Sequence, residues 1–367
     1  MSATRRIAIN TGGGDAPGLN AVIHSAVYAA RNLGWEIVGI REGYDGLLFP
    51  ERFKRGGLVT LRRGDVANIA HLGGTILGTT NHGDPFRART TRPDGRVDEV
   101  DRSGDVIAAF RRHGIDALIA VGGDGSLAIA QRLREKGLRV VGVPKTIDND
   151  LESTVLTFGF DSAVSFATEC IDRLHTTAAA HRRVMVVEVM GRYAGWIALN
   201  SGIAGRADAI LIPEIPFDVS KVAAHIGKLT AKSRPYAIVV VAEGATPVGG
   251  TVTVKAREPG REEILGGVGE HVARELVSRT GREARTVVLG HLLRGGSPTA
   301  ADRLLGLTFG AAAVRALADG MDGVMVSIVP PHVRYVPLKE AIATMKRVPV
   351  DGNGVLTART LDISFGD

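Results

Sequence analysis

The stretch ALIAVGGDGS, residues 117–126, joins a continuous apolar run to a glycine-rich turn. An unbroken apolar run of this length is typical of a parallel strand that is buried on both faces of its sheet. Arg6–Asn10 and Arg139–Val143 are further strand-like runs, and Leu19–Asn32 carries apolar residues at helical spacing. Strands that alternate with helices in this way predict an α/β fold built on mostly parallel sheets.

The alternation continues along the rest of the chain. Further predicted strands are Glu36–Ile40, Val184–Val189, Ala209–Ile212, Ala237–Ala242, Thr286–Leu289 and Gly323–Ile328. The pattern restarts near Asp150–Asp161, and 367 residues are enough for two hydrophobic cores. We therefore predict two lobes, each a mostly parallel sheet flanked by helices, with the active site in the cleft between them. The arginine-rich segment Gly83–Gly104 lacks apolar periodicity and predicts a surface excursion.

Composition narrows the classes of protein that fit. No apolar run approaches the roughly 20 residues that cross a bilayer, and the N-terminus lacks the apolar stretch of a leader. The single cysteine, Cys170, allows no disulfide within the chain and fits a reducing compartment, so we expect a cytoplasmic protein. The net charge of +6 comes from scattered Lys and Arg with few aromatics, so we expect neither a nucleic-acid nor a membrane partner.

Residues 11–20, TGGGDAPGLN, follow the first strand and open the first helix. Glycines at a helix start let backbone N–H groups approach phosphate oxygens. The segment is neither a Walker loop, since no Gly-Lys-Ser/Thr follows, nor a Gly-x-Gly-x-x-Gly dinucleotide fingerprint. Taken alone, it fits a structural turn as well as a phosphate-binding loop.

Residues 122–126, GGDGS, lie at the carboxyl end of a predicted buried strand, where ligands bind in open α/β sheets. Two glycines let a phosphate chain lie close to the backbone. Asp124 is a candidate ligand for Mg²⁺, which prefers a carboxylate together with substrate phosphates. The alternative is a tight strand-to-helix turn in which Asp124 caps the following helix.

Residues 144–150, PKTIDND, follow another predicted strand. On extended backbone Asp148 and Asp150 would point to the same side, so one carboxylate can take a proton while the other helps to hold Mg²⁺. Lys145 and Thr146 add donors for phosphoryl oxygens. This division of labour is what phosphoryl transfer needs, and the alternative is a turn rich in Asp and Asn. Arginines and histidines near glycine-rich turns, at 181–183, 192, 285, 291 and 294, are candidates to grip phosphate.

These segments, in this order, resemble the phosphofructokinase family. The resemblance runs from about Arg6 to about Asp367 and rests on TGGGDAPGLN, GGDGS, PKTIDND, HRRVMVVEVMGRYAGWIAL, PEIPF and REARTVVLGHLLRGGSPTAADR. GGDGS alone also resembles the nucleotide loop of the NAD kinase and diacylglycerol kinase families. The phosphofructokinases transfer a phosphoryl group from ATP or pyrophosphate to the 1-hydroxyl of fructose 6-phosphate, so the resemblance implies a glycolytic, magnesium-dependent phosphotransferase.

The resemblance also implies roles for individual residues. It implies that Gly14, Gly125 and Ser126 line the donor site and that Asp124 serves Mg²⁺. To this predicted donor site we add Gly123 of the same loop, and Lys145 and Arg87 as candidate cations. The resemblance implies that Asp148 is the base toward the sugar hydroxyl, supported by Thr146 and Asp150, and that Arg192 steadies charge in the transition state. It implies that the sugar phosphate contacts Met190, Gly191, Glu243, His291 and Arg294, with Arg183 and Arg285 supplied by a neighbouring subunit of a homotetramer or at least a dimer.

On this basis we expect a larger donor-binding lobe at 1–160 with about 291–330, and a smaller sugar-phosphate-binding lobe at 161–290 with about 331–367. Two positions distinguish ATP enzymes from pyrophosphate enzymes in the family, and in this chain they indicate different donors. ATP enzymes of the family usually have Gly where Gly125 falls, whereas pyrophosphate enzymes have Asp, which would obstruct and repel the α-phosphate. At the second position, Lys145, this chain has the lysine of pyrophosphate enzymes, whereas typical bacterial ATP enzymes have glycine. We expect ATP, because a carboxylate excludes ATP whereas a flexible lysine can coexist with it.

Asn81 stands where many ATP enzymes of the family have an arginine, so Lys145 or Arg87 is a candidate to replace that charge. Two alternatives stay open. One is a reversible pyrophosphate-dependent enzyme, which can also accept sedoheptulose 7-phosphate. The other, from a different class, is a catalytically silent sugar-phosphate-binding regulatory subunit, which the intact set Asp124, Asp148, Asp150 and Arg192 disfavours.

Overall fold

The computed structural model describes residues 5–91, 96–231, 234–256 and 264–367. The strands are β1 Arg6–Thr11, β2 Glu36–Ile40, β3 Leu58–Thr60, β4 Ala88–Thr91, β5 Val97–Val100, β6 Ala117–Gly122, β7 Val140–Pro144, β8 Val184–Val189, β9 Ala209–Leu211, β10 Ala237–Ala242, β11 Val254–Ala256, β12 Ile264–Leu265, β13 Ala284–Val288, β14 Val324–Val329 and β15 His332–Pro337.

The α-helices are α1 Leu19–Asn32, α2 Asp45–Leu48, α3 Arg63–Val66, α4 Ser103–Arg112, α5 Asp124–Glu135, α6 Phe160–His181, α7 Trp196–Ala204, α8 Val219–Ala231, α9 Val268–Thr280, α10 Ala300–Ala318, α11 Leu338–Ala341 and α12 Asn353–Thr360. Short 3₁₀ turns occupy Pro50–Arg52, Pro85–Arg87 and Gly290–Arg294. No helix in the described part of the chain combines the length and apolar character that a bilayer crossing requires.

The chain forms two compact units. The described residues of the first unit fall within Met1–Thr146, Leu151–Gly159 and Arg294–Met345, and those of the second within Ile147–Asp150, Phe160–Leu293 and Lys346–Asp367. These bounds differ from the expected ones at 331–345, which fall in the first unit because β15 pairs with β14. They also differ at Ile147–Asp150, which belongs to the second unit.

The first unit is built on a seven-stranded sheet with the order β15-β14-β7-β6-β1-β2-β3. The strands from β14 to β2 are parallel, and the edge strands β15 and β3 are antiparallel to their neighbours. Successive side chains of β1 alternate between two cores, since Ile7 and Ile9 pack with α1 and α10 while Ala8 packs with α4 and α5. Burial on both faces explains the continuous apolar runs.

The second unit is built on a four-stranded parallel sheet with the order β13-β8-β10-β9. On one face, Val184 and Val186 of β8 pack with apolar side chains of α8 and α9. Both sheets therefore confirm the predicted α/β class with mostly parallel strands between helices. The predicted surface excursion contains the antiparallel pair β4–β5, and its residues 92–95 lie outside the described part of the chain.

Candidate active site

In the first unit, two glycine-rich turns follow the neighbouring strands β1 and β6. The Gly12 N–H donates to the Val121 carbonyl at 2.9 Å. A Cβ on Gly12 would lie 2.8 Å from the Ser126 Oγ, and one on Gly122 would lie 2.3 Å from the Ser126 Cβ. A Cβ on Gly122 would collide with Ser126, and one on Gly12 would force the Ser126 hydroxyl to move, so these glycines allow the two predicted phosphate loops to pack together at the carboxyl edge of the sheet.

The helix α5 starts inside the second of these turns. Its N-cap is Gly123, and Asp124 is the first helical residue, so Asp124 is not the cap that the structural alternative required. Asp124 and Gly125 are both exposed. A Cβ on Gly125 would meet no protein atom within 4 Å. The turn thus leaves open space beside a helix N-terminus, where backbone N–H groups attract anions.

Lys145 follows β7 and connects the two turns. Its N–H donates to the Gly122 carbonyl at 2.9 Å, and its ammonium donates to the Gly14 carbonyl. A Cβ on Gly13 would lie 3.4 Å from the Lys145 Nζ. The side chain is only 4% exposed. A buried ammonium is costly unless its hydrogen bonds are made, so this one is held firmly beside the glycine-rich turn.

The segment Gly78–Gly83 lies against the first turn. Thr79 Oγ1 donates to the Gly13 carbonyl at 2.5 Å, and the Gly13 N–H donates to the Thr80 carbonyl at 3.1 Å. Sequence reasoning named this segment for Asn81 and missed both threonines. Since hydroxyls and carbonyls pair in many loops, the pattern GTTN alone carries no signal for this contact.

Two arginines have partners that the sequence did not predict. Arg294 belongs to the first unit, and its Nη1 donates to the Asp15 carbonyl at 3.1 Å. A Cβ on Gly14 would lie 2.8 Å from the same nitrogen, so the guanidinium rests on the glycine-rich turn. Arg87 pairs with Glu99 through Nε and Nη2, both at 2.8 Å, and its side chain is largely exposed. Glu99 therefore offsets the positive charge of Arg87, which was a candidate to replace the arginine that many ATP enzymes have at the position of Asn81.

In the second unit, the acidic loop Ile147–Asp150 bends at Asn149, whose φ is 51°. This left-handed conformation corrects the argument that Asp148 and Asp150 share one side of an extended strand. Asn149 is buried, and its side-chain oxygen accepts a hydrogen bond from Lys346 Nζ at 3.0 Å. Asparagine tolerates this conformation better than most residues, which explains its place between the two aspartates.

The loops after β8 and β10 meet at the carboxyl edge of the second sheet. The Glu243 N–H donates to the Val189 carbonyl at 2.9 Å, and a Cβ on Gly244 would lie 1.9 Å from the Arg192 carbonyl oxygen. Met190 and Gly191 precede Arg192 in the same loop. The structure therefore brings together Met190, Gly191 and Glu243, which the resemblance assigned to the sugar, and Arg192, which it assigned to the transition state. His291 is exposed in the turn after the neighbouring strand β13.

A glutamate that sequence reasoning missed supports the loop of Arg192. Both carboxylate oxygens of Glu214 accept from the Gly195 N–H, at 3.0 and 3.1 Å, and one also accepts from the Val348 N–H at 2.9 Å. Burial raises the pKa of Glu214, while these N–H groups act in the opposite direction. Its motif, PEIPF, was noticed in the sequence, but nothing local in that motif points to residues 195 and 348.

Arg183 and Arg285 lie at the amino end of β8 and in β13, and both pair with Glu283. Arg183 Nε donates to Glu283 at 2.6 Å, and Arg285 also forms an ion pair with that carboxylate. The Arg183 hydrogen bond is the main reason that the pKa of Glu283 is lowered. At about 3.3 Å per residue, the seven steps along β8 from Arg183 to Met190 separate the two residues by about 23 Å. Within one unit, these arginines do not share a site with Arg192.

Among the described residues, no group of three or more His, Cys, Asp or Glu side chains is placed to enclose a metal ion. Asp124 is a single exposed carboxylate at a helix start beside two glycine-rich turns. Mg²⁺ usually keeps several waters and binds proteins through one or two carboxylates together with substrate phosphates, so this residue fits that ion. The glycine-rich turns, the buried Lys145 and the exposed Asp124 are chemically suited to phosphate groups that carry a divalent cation.

Comparisons with known proteins give the family. The family model described as Phosphofructokinase matches residues 6–317. An "ATP-dependent 6-phosphofructokinase" of Chloroflexus aggregans is 50% identical over 100% of this chain and 99% of its own length. A "Pyrophosphate--fructose 6-phosphate 1-phosphotransferase" of Amycolatopsis mediterranei is 48% identical over 94% of this chain and 97% of its own length.

Among solved structures, phosphofructokinase from Saccharomyces cerevisiae matches with a TM-score of 0.79 and 30% identity over 98% of this chain. This chain spans about half of that yeast chain, 47% of its length. The chain belongs to the phosphofructokinase family, which confirms the resemblance that its motifs carry.

Proposed function

We propose that this protein transfers the terminal phosphoryl group of ATP to the 1-hydroxyl of fructose 6-phosphate, giving fructose 1,6-bisphosphate and ADP in glycolysis. The observation that carries the choice of ATP is the open space at Gly125, where a side chain would project next to the start of α5. Relatives at 46–50% identity over the whole chain are named ATP-dependent 6-phosphofructokinases. A cytoplasmic location is part of the proposal.

In this proposal the first unit binds the donor. Gly14, Gly123, Gly125 and Ser126 line the phosphates, and Lys145 places a cation on the glycine-rich turn. The contacts between the two turns support the assignment because they hold several backbone N–H groups at one edge of the sheet. Arg87 contributes less than expected from the sequence, since it is exposed and paired with Glu99.

The second unit binds the sugar phosphate and carries the base. Asp148 takes the proton from the sugar O1 as that oxygen bonds to the terminal phosphorus, and the bond from phosphorus to the ADP oxygen breaks. Thr146 and Asp150 support Asp148, and Arg192 stabilises charge on the phosphoryl oxygens. Met190, Gly191 and Glu243 hold the sugar. Mg²⁺ bound at Asp124 would supply positive charge to the donor phosphates.

The 6-phosphate is bound by His291 and Arg294 together with Arg183 and Arg285 of a neighbouring copy of this chain. The separation of Arg183 from Met190 along β8 supports this sharing, because one unit does not bring both to one ligand. The active form is therefore a homo-oligomer, a dimer or a tetramer. Glu283 holds Arg183 and Arg285 in the absence of the sugar phosphate, so phosphate binding exchanges one anion for another.

The test is an aldolase-coupled assay of fructose 1,6-bisphosphate formation with ATP, fructose 6-phosphate and Mg²⁺. We expect turnover that depends on all three components and stops when EDTA removes the metal. Binding of fructose 6-phosphate without any turnover with either donor would contradict the proposal and favour a silent regulatory subunit.

A pyrophosphate-dependent, reversible phosphotransferase is the second candidate, with sedoheptulose 7-phosphate as a further acceptor. Two observations favour it. Lys145 is buried against the glycine-rich turn, and relatives at 48% identity are named pyrophosphate-dependent enzymes. Rates with pyrophosphate that exceed those with ATP would establish this candidate.

A further inference from the structure

The segment at Lys346 joins the two catalytic loops of the second unit. Its ammonium donates to the Asn149 side-chain oxygen at 3.0 Å, and its N–H donates to the Asp150 carbonyl at 2.8 Å. Its own carbonyl accepts from Trp196 Nε1 at 3.1 Å. The lysine is thus fixed through its backbone and its side chain to the two residues that follow Asp148.

The contact with Asn149 is made to the residue of Ile147–Asp150 that has a left-handed backbone. Asn149 has a φ of 51° and is buried, so its side chain cannot hydrogen-bond to bulk water. A left-handed backbone costs free energy, and a buried amide oxygen without a hydrogen bond would add a second cost. Lys346 satisfies that oxygen, and the bend it secures sets the directions of the neighbouring carboxylates, Asp148 and Asp150.

The same segment also reaches the loop of Arg192. Trp196 is the first residue of α7 and follows that loop directly. Two residues after Lys346, the Val348 N–H donates to Glu214, whose carboxylate also accepts from the Gly195 N–H. A continuous set of hydrogen bonds therefore runs from the bend at Asn149, through residues 346–348, to the end of the Arg192 loop.

We infer that Lys346 is a positioning residue for the transfer reaction, which holds the Asp148 loop in register with the Arg192 loop through Asn149 and Trp196. The inference rests on the proposed function, in which Asp148 is the base. It assigns to Lys346 no contact with either substrate. Its loss should therefore lower turnover and leave substrate affinity nearly unchanged.

The test compares Lys346→Met, Asn149→Gly and the double variant with the intact protein. Glycine at 149 keeps the left-handed backbone accessible while removing the amide. We expect each single variant to lower kcat by about tenfold, as for loss of a hydrogen bond to a charged group, with KM for both substrates within about twofold. We expect the double variant to be about as active as the more impaired single variant, because each single variant already lacks the contact between Lys346 Nζ and Asn149. Lys346→Met also removes the cation–π contact of that ammonium with the Trp196 ring.

Lys339→Met is the matched control, since Lys339 is exposed on α11, and it should leave kcat unchanged. Three results would overturn the inference: an unchanged kcat in Lys346→Met, losses that multiply in the double variant, or a rise in the fructose 6-phosphate KM alone. If Lys346→Met does not fold, Asn149→Gly alone must show the lower kcat. Asp148→Asn serves as the benchmark, because near-normal turnover there refutes the proposed base, whereas an inactive Asp148→Asn beside a fully active Lys346→Met refutes only the role of Lys346.

Discussion

Replacing Gly125 by Asp should weaken the use of ATP without weakening the fold. Apart from its neighbours in α5, a Cβ at this position meets no protein atom within 4 Å, and the position is exposed, so a side chain has room to extend into solvent. Gly125 is the second residue of α5, where aspartate gains about 0.3 kcal/mol over glycine in helix propensity and a first-turn carboxylate adds about 0.3–1 kcal/mol. We therefore expect an unchanged or slightly higher Tm.

The same carboxylate should repel the phosphates of ATP. Two unit charges 4 Å apart interact by about 4 kcal/mol at an effective dielectric constant of 20. Residue 125 is exposed, so water screens the interaction, and we take about 1–2 kcal/mol, or roughly fivefold to thirtyfold in kcat/KM for ATP. The assay is steady-state kinetics with ATP at saturating fructose 6-phosphate and Mg²⁺.

Gly125→Asn separates size from charge, since its side chain has nearly the same volume and no charge. We expect the asparagine variant to lose much less kcat/KM for ATP than the aspartate variant. Equal losses would mean that the effect is steric. An aspartate variant that keeps the original kcat/KM for ATP would refute the placement of the donor phosphates beside Gly125.

Three further outcomes follow from the site. Asp148→Asn should lower kcat by orders of magnitude with little change in fructose 6-phosphate affinity, measured by steady-state kinetics and by calorimetry, and near-normal turnover would refute the base. Lys145→Gly should raise the ATP KM by about tenfold, because a buried cation leaves the glycine-rich turn, whereas unchanged kinetics would remove Lys145 from the donor site. Glu283→Gln should lower the fructose 6-phosphate KM severalfold, because Arg183 and Arg285 lose a competing anion. Because the pKa of Glu283 is lowered, its ion pairs with Arg183 and Arg285 persist through the usual carboxyl range and are lost only as the pH falls through the lowered pKa. At that pH the affinity of the intact protein for fructose 6-phosphate should rise, whereas the affinity of Glu283→Gln should stay level.

The sheets were predictable because their strands are buried on both faces. The continuous apolar runs Ala117–Val121 and Val184–Val189 predict buried parallel strands, and they form β6 and β8 in the structure. The glycine-rich turns were predictable for a related reason. A Cβ on Gly122 would lie 2.3 Å from the Ser126 Cβ, and this close packing requires a glycine that the sequence shows.

The supports of the site were not predictable from local patterns. Lys346 is 197 residues from Asn149, and Glu214 is 134 residues from Val348, so tertiary folding alone brings them together. The left-handed bend at Asn149 was not predicted either, because a run of alternating Asp and Asn is compatible with both extended and turned backbone. Arg294 was assigned to the sugar phosphate by resemblance, whereas its contact with the Asp15 carbonyl depends on a turn 279 residues away.

ATP is the proposed phosphoryl donor to fructose 6-phosphate, and a comparison of kcat/KM for ATP and pyrophosphate on one preparation decides between the two donors. Both donors are measured with saturating fructose 6-phosphate and Mg²⁺. The open space at Gly125 predicts a clear preference for ATP, with fructose 1,6-bisphosphate as the product. A higher kcat/KM for pyrophosphate would contradict the claim and make Lys145 the residue that decides the donor.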